Sequence, residues 1–304
     1  MRVLISNDDG VEAPGIWALF QEISTIADTI VVAPVSERSA IGHGISVFNE
    51  ITLRQHIRED VQWAYAIDGT PADCVKMALT VIMKDAQPDL VISGINRGQN
   101  TGTSIIYSGT VAAALEATMA GLPAMAISLA AFTPQIADHA KIHDPQSAIA
   151  SLADLARDPA DYAPAARYAS KLAYFIERRG LPKGVLLNVN VPHCPEDQIR
   201  GTVVSKMGHS VFIDEYEAVG EKAGVIAYKN IGKELINSPH GDDWDDLVLK
   251  ENKVSITPLH YDMTHHHFLG ELKKWWADEE REARDLASGV ANGLSKELDA
   301  EVKG

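Results

Sequence analysis

Cysteine is nearly missing from this chain, with two in 304 residues. Cys74 and Cys194 stand far apart and lack the short spacing of a thiolate metal site, so neither a disulfide framework nor a cysteine-held zinc is expected. No apolar run approaches the roughly 18 residues that a membrane span requires. Arg2 is followed by too few apolar residues before an acidic pair to form a secretion signal, so the expected compartment is the cytoplasm. Basic residues are short as well: 27 Lys and Arg against 42 Asp and Glu give a formal charge of -15. Displacing the counterions of a long nucleic acid takes a basic stripe, so a polymer of that kind is not an expected partner. A small phosphorylated substrate stays open, because a bound divalent cation can be the largest charge in its site.

What is present is an alternation of two patterns. Val3-Leu4-Ile5 is a short, largely β-branched run typical of a strand buried on both faces, and it stops at Asn7-Asp8-Asp9-Gly10. Pro14 then opens a helix whose apolar positions Ile16, Leu19, Phe20 and Ile23 recur at three and four residues. Thr29 to Pro34 reads as a second strand, followed by a polar loop from Val35 to Gly44 that contains Ser39. Thr70 and Pro71 are the N-cap and first residue of a helix through Ile82. Asp89 to Ser93 reads as another strand and runs into Gly94-Ile95-Asn96-Arg97-Gly98. Tyr107-Ser108-Gly109-Thr110 launches a helix over Val111 to Met119, and Pro123 to Leu129 supplies a further strand. This order predicts an α/β fold with a Rossmann-like three-layer core and a mostly parallel sheet.

The domain expectation is a catalytic core over residues 1-200, with a helical insertion at about 131-180 that includes a helix from Ala165 to Arg179. Residues 201-264 are expected to form a hairpin and closing strand, with Thr202 to Ile231 as one long hairpin turning near Gly220 and Gly224. Residues 265-304 make an amphipathic helical extension, interruptible at Gly289 and Gly293. The acids of Asp242-Asp243-Trp244-Asp245-Asp246 read as the first turn of a helix rather than as a cation site.

In open parallel sheets ligands collect beyond the carboxyl ends of the strands. Three such ends bring oxygen donors: Asp8 and Asp9, then Ser39, then Asn96. Two carboxylates, a hydroxyl and an amide form a hard set that suits Mg²⁺, Mn²⁺ or Ca²⁺ rather than zinc or copper. The helix start at Ser108, Gly109 and Thr110 offers unpaired backbone donors to an anion. Asn7 and Gly10 flank the acids and join Ser39 as candidate phosphate contacts. The expected site therefore holds Asp8, Asp9 and Asn96 as catalytic groups, with Asp8, Asp9, Ser39 and Asn96 around the metal.

These stretches, together with Gly69-Thr70-Pro71-Ala72-Asp73-Cys74, Asn188-Val189-Asn190-Val191-Pro192 and Val254-Ser255-Ile256-Thr257-Pro258-Leu259, resemble the SurE family of stationary-phase survival proteins in the order of that family. The resemblance runs from residue 1 to about 264 and departs from the family pattern in the loop Val35 to Phe48. It implies a phosphatase dependent on one divalent cation, Mg²⁺ or Mn²⁺, acting on nucleoside monophosphates as a 5′-nucleotidase, with 3′-nucleotidase and exopolyphosphatase activity as further expectations. A homodimer or homotetramer is implied too. The competing readings are a nucleotide-binding or regulatory module without turnover and an aspartyl-phosphate enzyme. The second of these needs an Asp-x-Asp pairing, which adjacent acids do not supply. NAD chemistry is not expected, since no G-x-G-x-x-G opens the first helix.

Overall fold

The structure is a computed structural model. It describes residues 1-58, 64-130, 161-222, 224-235, 238-239, 241 and 243-301. The part of the expected helical insertion that spans 131-160, and Asp242 of the acidic run, lie outside the described residues. Two compact units result, Met1–Tyr261 and Asp262–Gly304.

The strands of the first unit are β1 (Arg2–Ser6), β2 (Asp28–Pro34), β3 (Leu53–Gln55), β4 (Ala64–Ile67), β5 (Leu90–Arg97), β6 (Ala124–Ala130), β7 (Val185–Pro192), β8 (Thr202–Val204), β9 (Val211–Ile213), β10 (Tyr216–Lys222), β11 (Val225–Asn230), β12 (Lys233–Leu235) and β13 (Val254–His260). Nine of them form one sheet in the order β3-β4-β2-β1-β5-β6-β7-β13-β8. Its six inner members from β4 to β7 run parallel, while β3 is antiparallel at one edge and β13 is antiparallel to β7.

Alternate residues of each inner strand feed two cores. Val3 and Ile5 of β1 and Ile92 of β5 pack on one face with Ile16, Leu19 and Ile23 of α1 (Pro14–Ile23) and with Ala165, Ala169, Ala173 and Ile176 of the helix Ala163–Arg179. Leu4, Val32 and Val91 face the other way, onto Val75 of α2 (Pro71–Met77) and Ala78 just after it, and onto Val111, Ala113, Ala114 and Ala117 of α3 (Gly109–Met119). The helix Ala163–Arg179 is α4 in chain order. Each fully buried Leu or Ile contributes about 1.5–3 kcal/mol by leaving water, so strands that bury both faces are what hold this sheet together. That is why their sequences read as continuous apolar runs.

Local signals act where they were read. Thr70 caps α2 by accepting the Asp73 N–H at 3.1 Å while Asp73 Oδ2 accepts the Thr70 N–H at 3.0 Å, and Pro71 fills the first turn. One expectation is corrected. Thr202 to Ile231 is not a single hairpin: β8 joins the large sheet beside β13, β9 pairs with β12, and only β10 and β11 form the hairpin. Val203 pairs with Ser255, so this short strand completes an edge instead of leaving it.

α5 (Asp245–Lys250) precedes β13. In the second unit α6 (His266–Glu301) is one helix of 36 residues, continuous through Gly289 and Gly293. Among the described residues no helix is long and apolar enough to cross a membrane.

Candidate active site at the carboxyl edge of the sheet

Ser6 of β1 pairs with Ser93 of β5, so the acidic loop and the segment carrying Asn96 leave the sheet from neighbouring strands. Asn7 is fully buried and closes the acidic loop on itself. Its Nδ2 donates to the Gly10 carbonyl at 2.9 Å, and its Oδ1 accepts the Gly10 N–H at 3.2 Å. Gly10 has φ +98°, and a Cβ there would stand 3.1 Å from the Ser36 carbonyl carbon, so the following loop rides directly on this turn. The Arg38 N–H donates to the Asp8 carbonyl at 2.7 Å and ties that second loop down one residue before Ser39. Asn7 and Gly10 thus spend their polar groups on shaping the loop.

Asp8 is buried, and its Oδ1 accepts the Thr110 hydroxyl. Burial raises its carboxyl above the ordinary range, while the Thr110 hydroxyl and amide pull the other way. Asp9 accepts the Arg97 N–H on Oδ2 at 3.3 Å. Its carboxyl is pushed up to about 7, first by burial and then by the neighbouring Asp8 charge. Two adjacent acids raised by burial, the second also by the charge of the first, are short of positive charge, a condition that a divalent cation relieves.

Asn96 donates its Nδ2 to the Gly98 carbonyl at 2.8 Å, which leaves the amide oxygen as the atom that could meet a cation. The residues beyond it are fixed by β7. Asn188 and Asn190 both donate to the Asn100 carbonyl, at 2.8 and 3.0 Å, and Asn190 Oδ1 accepts the Asn100 N–H at 2.8 Å. Ser39 is exposed, and its hydroxyl donates to Glu37 Oε1 at 2.6 Å. Among the described residues no three His, Cys, Asp or Glu side chains gather in one place, so a cation here has to draw on amide and hydroxyl oxygens as well as the two acids. That is the donor set the two strand ends and the Ser39 loop present, and it fits a hard ion.

The start of α3 is more committed than its sequence suggests. Ser108 caps the helix by accepting the Val111 N–H at 3.1 Å, and Thr110 serves Asp8. Gly109 lies between them against the Asp8 side chain. Both helix-start hydroxyls expected at the phosphate therefore have protein partners, and the N–H of Gly109 is the donor that neither of these bonds uses.

Sequence reasoning also missed a charged cluster beside this helix. Glu116 of α3 is buried, with Lys76 Nζ 2.6 Å from Oε1 and His43 Nε2 2.8 Å from Oε2. An acid inside an alanine-rich helix was the available signal. Asp245 is a second case: it is wholly buried and accepts the N–H groups of Gly208 at 2.8 Å and Gly102 at 3.1 Å, stapling the 102 turn to the 208 loop.

The family described as Survival protein SurE matches residues 3–214. A protein of Syntrophobacter fumaroxidans called 5'-nucleotidase SurE is 36% identical over 277 residues, covering 90% of this chain and 99% of the relative. One of the same name from Carboxydothermus hydrogenoformans is 38% identical over 282 residues, covering 90% and 96%. Among solved structures, the SurE protein from Aquifex aeolicus superposes with a TM-score of 0.71 at 29% identity, over 90% of this chain and 99% of its own.

Proposed function

This chain belongs to the SurE family, and from that premise we propose that it is a metal-dependent 5′-nucleotidase, hydrolysing nucleoside monophosphates to nucleoside and inorganic phosphate. The observation that carries the reading is the pairing of two adjacent acids, Asp8 buried and Asp9 partly so, whose carboxyls are both raised by burial, with the amide oxygen of Asn96 at adjoining strand ends. Asp8, Asp9, Ser39 and Asn96 would hold one Mg²⁺ or Mn²⁺, and an ion so held supplies Lewis acidity at the phosphoryl oxygens and lowers the pKa of a bound water.

The chain's own groups do the rest. Thr110 fixes one oxygen of Asp8 by hydrogen bond, so that carboxylate keeps a set orientation. Asp9 Oδ2 is held by the Arg97 N–H, and its other oxygen is the one left to orient or deprotonate a water. Water adds to phosphorus, the ester P–O bond breaks, and the water proton ends on the departing nucleoside oxygen. The Gly109 N–H, at a helix start where backbone donors lack helical partners, faces the anion that accumulates. Activity on 3′-nucleotides and polyphosphate, a cytoplasmic site of action and a homodimer or homotetramer belong to the same reading.

Release of phosphate from AMP, GMP and polyphosphate, with and without a chelator, tests it. Chelator-sensitive release from a nucleoside monophosphate is expected. Nucleotide binding without any release would favour the regulatory module instead.

A further inference from the structure

Ser39 is the member of the donor set that comes from the loop after β2, apart from the adjoining ends of β1 and β5, and among the described residues its hydroxyl bonds only to Glu37 of its own loop. What fixes that loop lies a few residues on. The Gly42 N–H donates to the Tyr107 carbonyl at 3.0 Å, just before α3. His43 Nε2 meets Glu116 Oε2 at 2.8 Å. The Ser46 N–H and hydroxyl both reach Asp73 of α2, at 3.0 and 2.8 Å.

Glu116 is a buried anchor shared by the side chains of His43 and Lys76. Burial works to raise its carboxyl, but the bonds from His43 and Lys76 outweigh it and hold the acid below its usual range. An ionised carboxylate can only accept, so His43 Nε2 carries a proton and donates it. Lys76 occupies the other oxygen, which leaves Glu116 little freedom to turn away from the loop. Since the Arg38 N–H is tied to Asp8 at the near end, Ser39 sits on a short span clamped from both sides.

We propose that His43 and Glu116 are positioning residues that hold Ser39 at the cation site. The inference rests on the metal-dependent reading above. It assigns the pair a job at a distance: they touch neither ion nor substrate, yet set how well the fourth oxygen meets its partner three.

Binding of Mn²⁺ to the full-length, metal-stripped chain is measured by titration calorimetry for the wild type, His43→Ala and His43→Gln, with thermal unfolding of each metal-free chain alongside. His43 is chosen because its side chain is partly exposed, so its loss leaves the core intact. Partners one step behind a ligand typically change metal affinity by 10–100-fold, so His43→Ala should weaken Mn²⁺ by about tenfold or more. His43→Gln, which keeps a donor at similar reach, should recover most of the loss. A wild-type chain that takes up no Mn²⁺ overturns the metal reading and this proposal together. Wild-type affinity in His43→Ala, with or without a lower Tm, overturns the positioning role alone, as does equal weakness in both variants.

Discussion

Gly109 stands so close to Asp8 that a Cβ added to it would lie 2.8 Å from the Asp8 Cβ and 3.0 Å from Oδ2. The start of α3 and the first acid are therefore packed as one unit, and glycine is the residue that allows it. Gly109→Ala should push the carboxylate aside. Misplacing a catalytic group by about 1 Å can cost on the order of 10²-fold, so kcat/KM on AMP should fall by about that factor. Full activity in this variant would mean that Asp8 does not need its present place.

Asp9 should matter for chemistry and not for folding. Its carboxyl is raised to about 7, so in the metal-free chain its charge opposes the native state. Asp9→Asn should remove nearly all phosphate release while leaving the metal-free Tm unchanged or slightly higher. A variant that loses Tm along with activity would assign Asp9 a structural part instead.

Asp245 predicts a pH dependence. Burial lifts its carboxyl from 3.8 to about 7 despite the amides of Gly208 and Gly102. Between those values the folded chain holds a proton that the unfolded chain has released, so stability falls as pH rises through that window. At about 1.4 kcal/mol per pKa unit, the effect amounts to a few kcal/mol at most. Urea unfolding across roughly pH 4 to 7 should show a shallower decline in Asp245→Asn than in the wild type. Parallel curves would show that Asp245 does not titrate in this range.

The tail carries a different expectation. Leu269, Leu272, Trp275 and Trp276 are exposed on α6, an apolar series that a second copy of the chain could cover. Removing the residues after Asp262 should lower the number of chains per particle measured by light scattering. An unchanged number of chains would take the tail out of self-association.

Much of this molecule was legible before its structure. β1, β2 and β5 show as apolar runs because both of their faces are buried, and Thr70, Pro71 and Ser108 act within a turn of where they stand. The placement of the acids and Asn96 at one sheet edge was legible for the same reason, since parallel strands deliver their ends to one side. Groups whose meaning depends on distant partners were not. Glu116 meets His43 from 73 residues away, and Asp245 meets Gly102 from 143. In sequence they read as a helical acid and a helix-start acid, and only packing turns them into a loop anchor and a buried staple. β8 misled for a related reason: three residues cannot announce which sheet they will join.

The central claim is that Asp8, Asp9, Ser39 and Asn96 share one cation. Anomalous scattering from a crystal of the full chain soaked in Mn²⁺ measures this directly. One manganese peak bonded to oxygens of all four residues is the predicted result; a well-ordered site with no peak there, or a peak held by other side chains, contradicts it.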